Sequence, residues 1–192
     1  MSQVHLTSPA AARRRKDGSV HVCSLSAVSL TVESCKAPRL LTCISDVVVE
    51  TPAAIVPANH LRLVMHDISE PLPGYTAPHE RHIAELIEFA HAWGGEGAMV
   101  VHCYAGISRS TAAAFISLCA VNPQAPEAMI ARRLREASPT AFPNRLMIRL
   151  ADRALARDGR MLAAVETIGR GVIANEARPF FLPADLSEPI GA

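Results

Sequence analysis

A short apolar run, Ala98-Met99-Val100-Val101-His102, is joined by one compact loop to an almost unbroken apolar stretch from Thr111 to Val121. No other feature limits the fold of this chain as tightly. The first run is too short for a helix and follows Gly97, which is the form of a strand buried on both faces. The second is Ala-rich and about half the length needed to cross a bilayer, so it reads as a helix inside the protein. A strand buried on both faces needs helices above and below it, which requires an α/β architecture with a largely parallel sheet. Ligands of such sheets gather at the carboxyl ends of the strands. His102-Cys103 stands at one of those ends.

The rest of the chain supplies the partners this strand needs. Alternating patterns at 20–25, 39–45 and 60–67 read as strands, with a short helix or loop carrying Val28, Leu30 and Val32 between the first two. The third ends among Ser69, Pro71, Pro73 and Gly74 and delivers Asp67 into a loop. Between Thr76 and Trp93, Ile83, Leu86, Ile87 and Ala90 recur at helical spacing, and Gly94-Gly95 closes the segment. Helices follow at 110–121, 126–137 and 144–156. The expected fold is therefore α/β, with a central, mostly parallel sheet of four to five strands flanked by helices.

The 192 residues are 49% hydrophobic with a formal net charge of +1, enough apolar material for one core and too little charge for a nucleic-acid footprint. Residues 1–18 combine small residues with Arg13-Arg14-Arg15-Lys16 and read as a mobile basic tail, without the apolar stretch of a secretory signal. One domain is expected over 19–175. Residues 176–192, proline-rich, read as a loosely packed tail. Cys23, Cys35, Cys43, Cys103 and Cys119 lack the spacing of a disulfide framework or a zinc site, which points to a cytoplasmic location with no metal and no cofactor. Neither the composition nor any apolar segment suggests a membrane partner.

The loop itself reads His102-Cys103-Tyr104-Ala105-Gly106-Ile107-Ser108-Arg109-Ser110. A loop of this length between strand and helix can turn successive backbone N–H groups inward as an anion-binding nest, reinforced by the positive end of the following helix. Gly106 permits a turn that a side chain would hinder, and Ala105 keeps the floor clear. Arg109 can reach back with a planar fork to hold two oxygens of a phosphoryl group. Cys103, beside that helix terminus and an arginine, is placed to be a thiolate and hence a nucleophile.

Cys and Arg separated by five residues, preceded by His and followed by Ser, resemble the signature of the protein tyrosine phosphatase superfamily, and most closely its compact dual-specificity-type members. The resemblance spans about 19–151 in element order and includes Pro139-x-x-x-Pro143-Asn144. It implies that Cys103 accepts the phosphoryl group as a phosphocysteine, which water then hydrolyses. It assigns Ser110 to assisting departure of the thiolate, His102 to orienting the loop, and Tyr104 through Arg109 to binding phosphate. For Pro143-Asn144 it implies packing or loop bracing.

The leaving oxygen needs a proton, and a carboxylic acid on a neighbouring loop is the usual donor. Asp67 is the candidate, with Asp46 and Glu70 as competitors; a turn-capping carboxylate is the plain alternative for Asp67. The Trp-Pro-Asp of tyrosine-specific members is absent, since Trp93 lies at a helix end. The expected substrate is a phosphorylated protein or peptide bearing phosphotyrosine, with phosphoserine and phosphothreonine as further candidates. A phosphatase of inositol phosphates, phosphoinositides or RNA 5′-phosphates, a non-cleaving phospho-residue binder and a rhodanese-type sulfur transferase are the alternatives. Cys43 reads as a core residue that could instead pair with Cys103 on oxidation; Cys23 and Cys119 read as core. Arg132, Arg133 and Arg135, like His79 and His82, read as solvated helix faces.

Overall fold

The computed structural model describes residues 17–186. The basic run of the amino-terminal tail lies outside them, as does the end of the chain beyond Leu186. Five strands and six helices follow in order: β1 Ser19–Cys23, α1 Val28–Cys35, β2 Arg39–Cys43, β3 His60–Leu63, α2 Glu80–Trp93, β4 Ala98–His102, α3 Arg109–Val121, α4 Glu127–Ala137, α5 Arg145–Ala154, α6 Arg160–Thr167 and β5 Phe180–Pro183.

The sheet runs in the order β3-β2-β4-β1-β5. All neighbours are parallel except β5, which lies antiparallel to β1. β4 occupies the centre, as its continuous apolar character requires, with Met99, Val100 and Val101 fully buried. The larger core cluster joins the sheet to α2, α3, α4, α5 and α6, while a smaller one beneath α1 holds Val28, Val32, Leu40, Ile55 and Val100. Every residue of α3 is buried. Small residues make this possible: Ala112, Ala113 and Ala114 let neighbouring elements approach a helix enclosed on all sides.

Three sequence expectations change. The third strand stops at Leu63 rather than continuing to Asp67. Beyond it, His66 N–H donates to Thr76 O at 2.8 Å, which turns the chain away from the sheet. The 76–93 helix begins only at Glu80, after Pro78. The segment expected to be loosely packed contains β5, with Leu182, Ala184 and Leu186 buried. Its prolines concealed the strand, yet at a sheet edge Pro183 has no ladder donor to forfeit. Helix α6, packed through Met161, Ala164 and Val165, was not anticipated.

Of the arginines of α4, Arg132 is exposed as expected, but Arg133 and Arg135 depart from a solvated face. Arg133 is buried, and Arg135 donates to the carbonyls of Ser138, Pro139, Ala141, Ile168 and Gly169, tying together the chain on both sides of α5 and α6. Glu127, at the start of α4, is buried in an ion pair with Arg157 at 3.1 Å and with Arg160 at 3.3 Å. No helix among the described residues is long and apolar enough to cross a membrane.

Candidate functional site

Cys103 follows the last residue of β4, and Arg109 opens α3. The loop between them is closed by contacts from three directions. Leu25 N–H donates to Tyr104 O at 3.0 Å, Ala177 N–H to Ala105 O at 2.9 Å, and Phe142 N–H to Ile107 O at 2.9 Å. Several of its carbonyls are thus occupied by neighbouring chain, which leaves its amides for a ligand. Gly106 has φ of +75°, and a Cβ there would stand 2.9 Å from the Cys23 carbonyl carbon. Conformation and space both demand glycine at this point.

The Cys103 thiol is 2% exposed and lies 3.1 Å from Ser110 Oγ, which is fully buried. A hydroxyl at this distance can stabilise a sulfur anion by donating to it. Arg109 is also buried; its Nη1 donates to Met65 O at 2.7 Å, while its Nε finds no hydrogen-bond partner among the described residues. An unpartnered N–H on a buried guanidinium costs free energy until an acceptor arrives. An anion seated in the loop is such an acceptor.

Asp67 is brought to the same place from a different element. Its Oδ1 accepts from Ser108 Oγ at 2.7 Å and from Asn144 Nδ2 at 2.8 Å, and its Oδ2 lies 3.8 Å from Arg109 Nε. The competing carboxylates go elsewhere. Asp46 pairs with His66 Nε2 at 2.9 Å and is 76% exposed, and Glu70 approaches Arg149 at 3.9 Å. Asn144, for which only bracing was expected, is the N-cap of α5: its Oδ1 accepts from Met147 N–H at 3.0 Å while its amide nitrogen holds Asp67 and Ile68 O. One side chain therefore couples a helix start to the carboxylate beside the loop. The signal was present, since Asn directly after Pro and before an apolar-periodic run marks a helix start.

Burial sets the protonation of the surrounding groups. His102 Nε2 meets Thr42 Oγ1 at 2.7 Å, its Nδ1 meets Cys103 O at 3.3 Å, and burial lowers its pKa to about 4. Cys23 and Cys43 end the strands on either side of β4. Burial pushes the Cys23 thiol up to about 12 and raises that of Cys43 as well. Both are core thiols, and all five cysteines are free. Glu176 accepts from the hydroxyls of Ser24 and Ser26, which fastens the chain before β5 against the loop that follows β1. Nothing in the sequence pattern pointed to this glutamate.

No family model matches the sequence, and a search of curated proteins found no relative. Solved structures do match. DUSP15 is 18% identical, with 78% of this chain and 89% of that one covered at a TM-score of 0.57. The Cydia pomonella PTP-2 phosphatase is 17% identical, covering 72% and 87% at 0.55. Human DUSP28 is 15% identical, covering 72% and 92% at 0.54. At such identities the likeness is one of fold. The chain has the α/β fold of dual-specificity-type protein tyrosine phosphatases.

Proposed function

We propose that this chain, built on the dual-specificity phosphatase fold, is a phosphoric monoester hydrolase that removes phosphate from phosphorylated protein through Cys103. The observation that carries this reading is the contact between Cys103 Sγ and Ser110 Oγ at 3.1 Å, inside a loop whose carbonyls are bonded to neighbouring chain and whose arginine retains a buried, unpartnered N–H. A structural cysteine needs none of these.

In the proposed reaction the phosphoryl group sits in the loop from Tyr104 to Arg109. The Cys103 thiolate attacks phosphorus; the S–P bond forms as the bond to the leaving oxygen breaks. Arg109 and the loop amides hold the equatorial oxygens, where charge accumulates in the transition state. Asp67 donates the proton that the leaving oxygen requires. Two donors already occupy its Oδ1, so Oδ2 is the atom left to carry that proton. Water then attacks phosphorus, passing its proton to the Asp67 carboxylate, and the S–P bond breaks. The Ser110 hydroxyl supports the departing thiolate. His102 orients the first peptide of the loop.

Phosphotyrosine is the favoured substrate, with phosphoserine and phosphothreonine as further candidates. A loop interior of Tyr-Ala-Gly-Ile-Ser without lysine is poorly matched to highly charged polyphosphates. The test compares p-nitrophenyl phosphate, phosphotyrosyl and phosphoseryl peptides and inositol phosphates, using wild type beside Cys103→Ser and Ser110→Ala. Cys103→Ser is expected to abolish turnover. Ser110→Ala is expected to retain a phosphate-free product burst while slowing the steady state by about tenfold or more. Full activity in Cys103→Ser sinks the proposal, and a preference for inositol phosphates replaces its substrate.

A further inference from the structure

Beneath the loop, side chains from three adjacent strands and from the connection between β2 and β3 form one connected row of hydrogen bonds. Arg62 Nη2 donates to Thr51 Oγ1 at 2.6 Å, Thr51 Oγ1 meets His60 Nδ1 at 3.0 Å, and His60 Nε2 meets Thr42 Oγ1 at 2.8 Å. Thr42 Oγ1 meets His102 Nε2 at 2.7 Å, and His102 Nδ1 meets the carbonyl of Cys103 at 3.3 Å. Thr42, His60 and His102 are 3%, 6% and 0% exposed, so no solvent can stand in for a missing partner.

The direction of every bond follows from the last one. A carbonyl only accepts, so His102 Nδ1 carries a proton. Burial keeps both imidazoles neutral down to about pH 4, so His102 Nε2 is bare and must accept from the Thr42 hydroxyl. Thr42 has one proton, now spent on His102, and must accept from His60 Nε2–H. His60 Nδ1 is then bare and accepts from the Thr51 hydroxyl, whose oxygen accepts in turn from Arg62. All donors point one way, from the exposed guanidinium toward Cys103.

We infer that Thr42, His60, Thr51 and Arg62 are positioning residues that lock His102 in its Nδ1–H tautomer and thereby orient the first amide of the phosphate loop. The Cys103 carbonyl and the Tyr104 N–H belong to one planar peptide and point in opposite directions. Holding the carbonyl on His102 therefore sets the direction of the Tyr104 N–H, the first donor of the nest. Without Thr42, the bare Nε2 of His102 is left buried with no donor, and only the 3.3 Å bond to the Cys103 carbonyl keeps the proton on Nδ1, so that peptide is held less firmly. This role rests on the phosphatase reading above; the tautomers do not.

Two measurements test it. Long-range proton–nitrogen spectra of the imidazole rings in the wild-type protein at pH 7 are expected to show Nδ1–H on His102 and Nε2–H on His60. Thr42→Val, nearly isosteric but without the hydroxyl, is expected to mix the His102 tautomers and lower kcat for p-nitrophenyl phosphate by roughly tenfold, about what one hydrogen bond is worth. Thr42→Ser is expected to restore both. The opposite tautomer on either histidine overturns the relay, and wild-type turnover in Thr42→Val overturns its positioning role. A wild-type protein without phosphatase activity overturns the functional reading and that role together, while its ring spectra still decide the direction of the chain.

Discussion

At the scale of single residues, environment sets apart the one carboxylate beside the loop from the buried rings around it. Asp67 keeps one carboxylate oxygen fully engaged and the other beside Arg109, half open to solvent. Asp67→Asn keeps the shape and removes the proton. It is expected to slow phenyl phosphate, which has a poor leaving group, by about a hundredfold, while p-nitrophenyl phosphate suffers much less. The buried histidines make a separate prediction on stability. His60 and His102 have pKa values lowered from 6.5 to about 4 by burial, so the unfolded chain binds more protons than the folded one between those values. Stability is therefore full above pH 6.5 and is lost as pH falls toward 4, with a slope approaching about 1.4 kcal/mol per pH unit for each ring. Urea midpoints at pH 7.5 and pH 5 check this, and His60→Gln should reduce the difference.

At the scale of elements, the start of α5 has a task beyond ending a loop. Asn144 caps the helix through Oδ1 and holds Asp67 through Nδ2, so two substitutions can separate the functions. Asn144→Ala is expected to cost about 1 kcal/mol as a lost cap and also to release Asp67. Asn144→Asp retains the cap acceptor but removes the amide donor and sets a second carboxylate against Asp67. It should keep most of the stability yet lower kcat for poor leaving groups, by about tenfold in both variants. Chemical denaturation and turnover of phenyl phosphate measure the two effects. Helix α3 contributes differently, because its amino end faces the loop and its whole surface is buried, which makes it a rigid base for Arg109 and Ser110.

At the scale of the whole molecule, the carboxyl-terminal segment closes the sheet on the side of β1. Leu182 lies 2% exposed in β5, and Leu182→Ala is expected to lower stability by about 2 to 3 kcal/mol, with thermal unfolding some 5 to 10 °C earlier by calorimetry. Such a loss would be out of place in a loose tail. Much of the architecture was legible in the chain because it is encoded locally. β4 is a continuous apolar run, α2 has its apolar residues at helical spacing, and the Cys103-to-Arg109 loop sits between a strand and a helix whose types are unmistakable. What escaped was encoded at a distance. Phe180–Pro183 becomes a strand only because the edge of β1 is unpaired, and the prolines at 179 and 183 argue against it. Arg133 and Arg135 look like solvated charges until loops from elsewhere bring carbonyls to them. Thr42 and His60 are ordinary strand residues in sequence, and only the packing of parallel β3, β2 and β4 sets Thr42 opposite His102 and brings His60, opposite Leu40, within reach of the Thr42 hydroxyl. The sequence by itself determined the α/β class and the loop from Cys103 to Arg109 between strand and helix, since five intervening residues and one glycine suffice to curl a loop. Tertiary structure alone decided which carboxylate stands beside that loop and what orients it, because those partners lie on separate elements and meet only when the sheet and helices pack.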